Sequence, residues 1–281
     1  MARIRLLLLL DRKVYLLSGK LVLGVYRRVG IKGVGFSMKI IAIVQARMQS
    51  SRLPGKVMKN VMGKPMLSYL LERLSSCVAI SRIIVATSNL DADTPLAQYV
   101  QMLGYHVFRG DETDVLERYY LAAQAVNPDA VVRVTGDCPL VDPLIVDRVI
   151  REFLVSGADY VHTGQSFAEG LDVEIFTFLA LEKAFYEAKE AFEREHVAMY
   201  MHRHPELFKK ITLENDLDDS RYRFSVDYQE DFDVIRGIFE GLYRTNPLFS
   251  YHDIKRYLDL HADLIKANSH IVRNEALVKG K

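Results

Sequence analysis

The chain of 281 residues, 49% of them hydrophobic, is long enough to bury one substantial core, and its length alone does not require two domains. Its net charge of +1 is uneven: residues 1–37 hold eight Lys or Arg and one Asp, so residues 38–281 carry a net charge of −6. A mildly acidic body argues against broad nucleic-acid binding, because neutralising a phosphate backbone requires a basic face.

The first 37 residues are predicted to be a basic extension to a domain formed by residues 38–281. The segment MARIRLLLLLDRK begins like an export signal, but its five leucines are followed at once by Asp11, Arg12 and Lys13. A dispensable or mis-started extension is favoured, because the MKIIAIV that follows is typical of a natural start. A basic amphipathic anchor on an anionic membrane surface and added packing on the domain stay open. No run reaches the roughly 18 apolar residues that a membrane span needs.

From Lys39 onward, short β-rich runs alternate with segments of helical period. This alternation predicts right-handed crossovers and a mainly parallel sheet, and therefore an α/β layered fold. The predicted strands are residues 40–44, 82–87, 105–108 and 130–135. Three predicted helices each place four apolar residues on one face: Leu67, Leu70, Leu71 and Leu74; Leu116, Tyr119, Tyr120 and Ala123; Val146, Val149, Ile150 and Phe153.

The regular alternation loosens after about residue 156. A helical stretch around 178–204 lies between β-rich segments, among them FKKITLE and YRFSVD. This mixture predicts a small antiparallel extension, inserted before a last strand rejoins the sheet. A further helix is expected at residues 230–242, with Phe232, Ile235, Phe239 and Leu242 on one side.

The stretch QARMQSSRLPGK, residues 45–56, follows the first predicted strand and carries three cations. In an open parallel sheet, ligands bind beyond the carboxyl ends of the strands. The side chains of Arg47, Arg52 and Lys56, together with loop N–H groups, can converge there on phosphate oxygens, with Ser50 and Ser51 as further donors. It is not a Walker A loop, because GxxxxGK[ST] is absent. A solvated basic turn is the alternative.

Two carboxylates are predicted to lie at the same edge of the sheet. RVTGDCPLVDP, residues 133–143, ends a buried strand and places Asp137 there, and FSVDYQED places Asp227 at the end of another predicted strand. Hard oxygen ligands beside cations are what Mg²⁺-assisted phosphoryl or nucleotidyl transfer requires. The alternative for Asp137 is a cap on the following helix. Glu230 and Asp231 are expected to begin a helix, where acids favour its positive end.

Three other patterns have ordinary structural explanations. Cys77 and Cys138 are too few and too isolated for a disulfide framework, which predicts buried thiols in a reducing, cytoplasmic compartment. The DAD at residues 91–93 is a DxD of the kind that holds metal in many glycosyltransferases, but a turn and helix start before PLAQYVQML explains it. His202 and His204 lie on different helix faces and do not form a convincing metal pair.

Several motifs occur in order over about 200 residues: QARMQSSRLPGKV with GKPML behind it, VFRGDETDVLERYY, RVTGDCPLVDP, EGLDVEIF, EREHV and SVDYQEDF. With them, residues 38 to roughly 240 resemble the cytidylyltransferase family that includes CMP-Kdo synthetase and acylneuraminate cytidylyltransferase. Within it, they resemble the spore coat polysaccharide biosynthesis protein F type. The chain departs from the sugar-acid enzymes at QAR, where PAR is usual, at Gln49, where a small residue is expected, and at Tyr228-Gln229, where Thr-Pro is common.

The resemblance implies a nucleotide-diphosphosugar transferase fold of GT-A type, Rossmann-like with a small antiparallel extension. It also implies that CTP and a hydroxyl of a sugar or sugar acid give a CMP-sugar and pyrophosphate, for surface polysaccharide synthesis. The expected cofactor is Mg²⁺ on Asp137 and Asp227, and the expected catalytic cations are Arg47, Arg52 and Lys56. The expected substrate-binding residues are Gln45, Ala46, Ser50, Ser51, Arg133, Thr135, Asp172, Glu174 and His196.

Alternatives remain for the acceptor side and for the function. Asp172 and Glu174 can instead alternate out of a strand into water, and His196 can pack within a helix. A GT-A glycosyltransferase that uses a nucleotide sugar, or a non-catalytic nucleotide-binding protein, is the competing function. The intact charged residues argue against a non-catalytic protein, because a decayed site is expected to lose some of them. The resemblance also allows a homodimer.

Overall fold

The computed structural model describes residues 38–273, so the extension predicted at residues 1–37 lies outside the described residues. Seven strands form one sheet in the order β5-β4-β1-β6-β8-β7-β9, and two short strands, β2 and β3, form a hairpin. The strands are β1 (Ile40–Gln45), β2 (Asn60–Val61), β3 (Lys64–Pro65), β4 (Ile80–Ser88), β5 (His106–Gly110), β6 (Ala130–Thr135), β7 (Tyr160–Thr163), β8 (Glu174–Thr177) and β9 (Lys210–Leu213).

Helices connect these strands and follow the last of them. Two short 3₁₀ helices, Lys56–Met58 and Asp91–Asp93, lie after β1 and β4. The α-helices are α1 (Met66–Ser75), α2 (Thr94–Met102), α3 (Val115–Gln124), α4 (Pro143–Ser156), α5 (Phe178–Glu187), α6 (Ala191–Glu195), α7 (Met199–Arg203), α8 (Gln229–Leu242), α9 (Tyr251–Leu260) and α10 (Ala262–Asn268).

The strand order creates a crevice beside β1. This strand pairs in parallel with β4 on one side and β6 on the other, and β5 continues the parallel half beyond β4. The chain moves outward from β1 to β4 and β5 and then returns to the far side of β1, so the crevice opens at the carboxyl ends of β1 and β6. The antiparallel part is formed by β8, which pairs with β6 and β7, while β9 runs parallel to β7. The predicted mainly parallel sheet with an antiparallel extension is confirmed.

The core is formed by strands that are buried on both faces and by helices that cover them. Residues 40–44 are at most 2% exposed, as expected for a central strand of a parallel sheet that is covered on both faces. On one side, α3 and α5 pack in a common cluster with Ile41 and Ile43. The three predicted apolar helix faces are confirmed, since each of their twelve residues is at most 3% exposed.

The predicted helical stretch at 178–204 is confirmed as three helices, α5, α6 and α7. Ala188 ends α5 with φ −65° and ψ 123°, and Val197, with φ 48°, lies between α6 and α7. The predicted last strand is wrong. YRFSVD does not form a strand that rejoins the sheet: Arg223 makes a single isolated bridge with Glu169, and the chain then runs as a loop to α8. The predicted helix at 230–242 is confirmed as α8.

Within the described residues, no helix has both the length and the apolar character needed to cross a membrane. Cys77 and Cys138 are both free and buried, as predicted. Burial is the largest effect on either thiol and raises its pKa above the ordinary value, which keeps the reactive thiolate form scarce.

Replacing Asp147 with Asn is expected to stabilise the protein at pH 8. Its Oδ1 is buried without a hydrogen-bond partner in the described structure, and burial raises the pKa of this carboxyl to about 6. The ionised form therefore costs stability above pH 6, whereas below the unfolded pKa of about 4 both states are protonated and the cost vanishes. Asp147→Asn should raise the free energy of unfolding by about 1–2 kcal/mol at pH 8, allowing for solvent screening.

Urea denaturation at pH 8 and pH 4 checks this expectation. The gain should be present at pH 8 and much smaller at pH 4. A gain of equal size at both pH values would assign the effect to packing rather than to the charge.

Candidate active site

An open cleft of about 1100 Å³ lies at the carboxyl ends of β1 and β6 and extends across β8, β7 and β9. It is larger than most single-ligand pockets, which leaves room for a nucleotide and a second substrate. All the residues predicted as catalytic, metal-binding or substrate-binding line it: Gln45, Ala46, Arg47, Ser50, Ser51, Arg52, Lys56, Arg133, Thr135, Asp137, Asp172, Glu174, His196 and Asp227.

Lys56 joins the two predicted metal-binding carboxylates. Its Nζ donates to Asp137 Oδ2 at 2.7 Å and to Asp227 Oδ1 at 2.8 Å, although 81 and 171 residues of chain separate it from them. The side chain of Lys56 is 11% exposed and that of Asp227 is 13% exposed. Arg52 adds a second cation, with its NH2 2.6 Å from Asp227 Oδ1. The basic loop therefore does meet the acids, and the solvated-turn alternative is wrong for Lys56 and Arg52.

The loop reaches the acids because its backbone folds back on itself. Gly55 adopts a left-handed conformation, with φ 69°, and its N–H donates to the carbonyl oxygen of Met48 at 2.8 Å. Lys56 then begins the short 3₁₀ helix, which points its side chain into the cleft. Glycine suits this left-handed turn, because most other residues would be strained in that conformation.

Gly136 allows Asp137 to approach the basic loop. The Gly136 N–H donates to the Gln45 carbonyl oxygen at 2.8 Å, and a Cβ on Gly136 would lie 2.8 Å from Ala46 Cβ. Asp137 does not cap the following helix. Asp142 does so, with its Oδ1 accepting from the Leu144 N–H at 2.7 Å. The capping alternative for Asp137 is therefore wrong.

Asp227 is held by contacts distant in sequence rather than by a strand. The Val226 N–H donates to the Asp137 carbonyl oxygen at 2.9 Å, which ties the two acidic segments together. Asp231 Oδ2 accepts from the N–H groups of Asp227 and Tyr228 at 2.9 and 3.0 Å, as part of a capping box at the start of α8. The prediction that Glu230 and Asp231 begin a helix is confirmed, and Asp231 also fixes the backbone of Asp227.

Arg223 is a buried cation behind Asp227 that the sequence prediction missed. Its NH2 lies 3.0 Å from Asp227 Oδ2, its Nε lies 2.9 Å from Asp231 Oδ1, and its NH1 lies 2.6 Å from Glu169 Oε2. Asn268, at the end of α10, donates to Asp231 Oδ1 at 2.9 Å. One oxygen of Asp227 is thus directed by Arg223 while the other faces Lys56 and Arg52. An arginine within the otherwise apolar YRFSV run was the available signal.

The charges of the site favour the ionised forms of both Asp137 and Lys56. Burial would raise the pKa of Asp137, but the nearby Lys56 ammonium outweighs it and lowers that pKa to about 2. Burial would likewise lower the pKa of Lys56, and Asp137 and Asp227 together raise it. The stability that Asp137 gains from this pairing is present above its unfolded pKa of about 4 and is lost as pH falls toward 2.

The residues fit a hard divalent cation. Asp137 and Asp227 supply only oxygen donors, and one oxygen of each already meets a single cationic atom, Lys56 Nζ. Within residues 38–273, no cluster of three or more His, Cys, Asp or Glu could hold a metal without help. A Mg²⁺ ion here would therefore take its remaining ligands from phosphate oxygens and water, as is usual for this ion.

Arg133 organises the floor of the cleft. It forms an ion pair with Glu174, which also accepts from the Tyr160 hydroxyl, and its NH2 donates to Gln45 Oε1 at 3.1 Å. Since a guanidinium can only donate, the Gln45 side chain must present its oxygen to Arg133 and its amide nitrogen elsewhere. Glu174 is thus engaged by protein groups, in addition to facing the cleft.

Asp172 and His196 also line the cleft. Asp172 Oδ2 accepts from the Gly170 N–H at 2.9 Å, and its Oδ1 lies 3.4 Å from NH2 of Arg273, which follows the last helix. Burial raises the pKa of Asp172 and lowers that of His196. His196 packs edge-on against Phe192 of α6 and also lines the cleft. Contact of either residue with an acceptor stays a prediction.

Arg47 and Arg118 form a second positive region of the cleft. Arg47 is 45% exposed and lies 3.8 Å from Glu112, so it does not join the Lys56 cluster. Arg118 was missed by the sequence prediction. It is 2% exposed, lines the cleft, and donates from NH1 to the Asp111 carbonyl oxygen at 2.8 Å. The available signal was its position among Val115, Tyr119 and other buried residues of α3. A charged side chain on an apolar helix face is costly to bury unless polar groups satisfy it.

A cleft that joins cations and hard carboxylates at the switch point of a parallel sheet is typical of enzymes that transfer phosphoryl or nucleotidyl groups. Residues 41–266 match the family model described as cytidylyltransferase. The chain therefore belongs to the cytidylyltransferase family and is a nucleotidyltransferase, as the sequence motifs predicted.

Individual relatives agree with this family. The chain is 31% identical to the spore coat polysaccharide biosynthesis protein SpsF of Bacillus subtilis, over 72% of this chain and 86% of that one. It is 34% identical to a 3-deoxy-manno-octulosonate cytidylyltransferase of Trichlorobacter lovleyi, over 42% of this chain and 46% of that one. It also resembles the solved structure of a cytidylyltransferase from Leptospira borgpetersenii, with TM-score 0.79 and 33% identity over 84% of this chain and all of that one.

Proposed function

We propose that the protein is a Mg²⁺-dependent cytidylyltransferase that joins CMP from CTP to a hydroxyl of a sugar or sugar acid and releases pyrophosphate. The observation that carries this proposal is the meeting of Lys56, Asp137 and Asp227 at the sheet edge where nucleotides bind in open α/β folds. Membership of the cytidylyltransferase family supports CTP as the nucleotide.

In this proposal, Asp137 and Asp227 would hold Mg²⁺, and the ion when bound would neutralise phosphate charge. Arg52 and Lys56 bind the triphosphate oxygens from the same loop. Arg47 lies on the more exposed side of that loop, where a leaving pyrophosphate can be neutralised. Ser50, Ser51 and the loop N–H groups provide further donors to the phosphates.

The reaction is an in-line displacement at the α-phosphorus of CTP. The acceptor hydroxyl oxygen forms the new bond as the bond to pyrophosphate breaks, and its proton passes to water or to the departing pyrophosphate. The protein therefore mainly aligns the two substrates and stabilises charge. The floor residues Gln45, Ala46, Arg133 and Thr135 lie beside the loop and are assigned to the nucleotide. Asp172, Glu174 and His196 also line the cleft and are assigned to the acceptor.

The acceptor class and the biological role rest on the relatives. A sugar acid is supported by the 3-deoxy-manno-octulosonate enzyme, and a role in surface polysaccharide synthesis by the spore coat protein. Action in the cytoplasm and assembly into a homodimer are further parts of the proposal.

Pyrophosphate release tests this function. The purified protein with CTP and Mg²⁺ should release pyrophosphate only when a suitable sugar or sugar acid is present, and a panel of both kinds identifies the acceptor. Transfer of sugar from a UDP-sugar to an acceptor without pyrophosphate would replace the proposal with a glycosyltransferase. Binding of CTP with no turnover across the panel, in the presence of Mg²⁺, would favour a non-catalytic role.

A further inference from the structure

The DAD segment contains a buried carboxylate whose role differs from the one its sequence suggests. Asp91–Asp93 forms a 3₁₀ turn directly before α2, as expected for a helix start. Asp93 occupies the N-cap position of α2, yet its side chain makes no capping hydrogen bond to that helix. It is 1% exposed, so its oxygens must be satisfied by other protein groups.

Both oxygens of Asp93 are used outside α2. Oδ1 accepts from the backbone N–H of Met48 at 2.6 Å, across 45 residues of sequence. Oδ2 accepts from the N–H of Ser88 at 3.1 Å and from the Ser88 hydroxyl. One oxygen is therefore fixed to the end of β4, and the other holds the middle of the basic loop.

Met48 is the point at which the basic loop is fixed on both sides. Its N–H donates to Asp93, and its carbonyl oxygen accepts from the Gly55 N–H at 2.8 Å. Arg47 immediately precedes Met48, and Lys56 immediately follows Gly55. The position of Met48 relative to the sheet therefore sets the direction from which both cations enter the cleft.

We propose that Asp93 is a positioning residue for the basic loop: it anchors Met48 to the carboxyl end of β4 and so places Arg47 and Lys56 for the triphosphate. This inference rests on the proposed nucleotidyl transfer for its effect on rate, and on the hydrogen bonds alone for its effect on the loop. The ionised carboxylate suits the task, because it accepts at both oxygens and charge-assisted bonds hold more firmly than neutral ones. Burial would raise the pKa of Asp93, and the bonds from Met48 and Ser88 outweigh it and lower it.

Three variants separate positioning from a general structural role. Asp93→Asn keeps the shape of the side chain but removes its charge and leaves one acceptor oxygen where there were two, which weakens the anchor. Ser88→Ala removes only the hydroxyl bond at β4 and leaves the contact with Met48. Asp91→Asn is the matched control, because Asp91 belongs to the same turn and is exposed.

Kinetics with CTP provide the first readout. Asp93→Asn should lower kcat/KM for CTP by about 10- to 100-fold, mainly through KM for CTP, because a misplacement near 1 Å is enough for such a loss. KM for the acceptor should stay the same. Ser88→Ala and Asp91→Asn should stay within about threefold of the parent, since their changes leave the Met48 contact in place. Equal losses in Asp93→Asn and Ser88→Ala would overturn the inference and assign Asp93 to the β4 turn.

Limited trypsin digestion provides a second readout that needs no substrate. Cleavage at the Arg47–Met48 bond should be about tenfold faster or more in Asp93→Asn, because a released loop opens more often. Unchanged cleavage would overturn the inference, even where activity falls. If the parent protein releases no pyrophosphate with any acceptor, the proposed function fails, and the digestion still decides whether Asp93 anchors the loop.

Should Asp93→Asn not fold, an ester at the Arg47–Met48 bond tests the same contact. Replacing Met48 with its α-hydroxy acid converts the amide to an ester and so removes the N–H that donates to Asp93. The same rise in KM for CTP is expected. An ester protein with the parent KM for CTP would contradict the inference.

Discussion

Asp137→Asn is expected to lower turnover by about a thousandfold or more, while the protein still folds, with a moderately lower melting temperature at neutral pH because the ion pair with Lys56 is lost. The variant keeps the shape of the side chain but removes the charge that faces Lys56 and would hold the metal. Asp137 packs at the rim of the cleft and its side chain is 26% exposed, so the core is not disturbed. Sugar-dependent pyrophosphate release from CTP, followed beside thermal unfolding, measures both effects.

Asp233→Asn is the matched control for this variant. Asp233 lies on α8, pairs with Arg236 at 2.9 Å and is 43% exposed, so its loss should leave turnover unchanged. Near-normal turnover in Asp137→Asn would refute the metal role. A collapse of the fold in Asp137→Asn would instead assign the carboxylate to stability.

Lys56→Met is expected to have two opposite effects. Turnover should fall by about a hundredfold or more, because a charge that stabilises the transition state is lost. Binding of a divalent ion without nucleotide should become stronger, because the Lys56 ammonium and the ion compete for the same oxygens of Asp137 and Asp227. Titration of Mn²⁺ by electron paramagnetic resonance, with no nucleotide added, measures the second effect independently of activity.

Lys59→Met serves as the control for Lys56→Met. Lys59 lies three residues away, donates to Gln229 at 3.1 Å and packs over the ring of Phe232, outside the cleft. The Lys59→Met variant should leave both Mn²⁺ binding and turnover unchanged.

Weaker or equal Mn²⁺ binding in Lys56→Met would contradict the competition between Lys56 and the ion. A loss of affinity that is equal for CTP and CMP would argue against a role for Lys56 at the leaving group.

The parallel half of the fold could be predicted because its signals are local. The run at residues 40–44 and AVVRVT at residues 130–135 are apolar and rich in β-branched residues, as strands buried on both faces must be. Once both are taken as parallel strands, their carboxyl ends share one edge of the sheet. The meeting of Lys56 with Asp137 follows from that edge and was predicted for this reason.

The position of Asp227 was predicted for a reason that proved wrong. No strand precedes it; the segment is held by the Glu169–Arg223 ion pair and by the Val226 bond to Asp137. These contacts join residues that are 54 and 89 positions apart, and no periodic pattern records them. The motif resemblance indicates the same position for Asp227 without requiring a strand before it.

The roles of Arg118 and Asp93 were not predicted for a related reason. Each acts through a side chain that reaches a backbone group on another segment, Asp111 for Arg118 and Met48 for Asp93. Such contacts satisfy buried polar groups once the fold is complete, and they depend on three-dimensional distance rather than on residue spacing. A DxD before a helix has the same local sequence whether its last carboxylate caps the helix or anchors a loop.

Thermal unfolding with five nucleotides is the most direct test that Lys56, Asp137 and Asp227 enclose a magnesium-bound triphosphate. A ligand that binds only the folded protein raises its melting temperature. CTP with Mg²⁺ should raise it more than UTP, GTP, ATP or dTTP, and the rise should require Mg²⁺ and disappear in an Asp137→Asn, Asp227→Asn double variant. A rise that is equal for all five nucleotides, or that persists without Mg²⁺ and without both carboxylates, would contradict the proposed site.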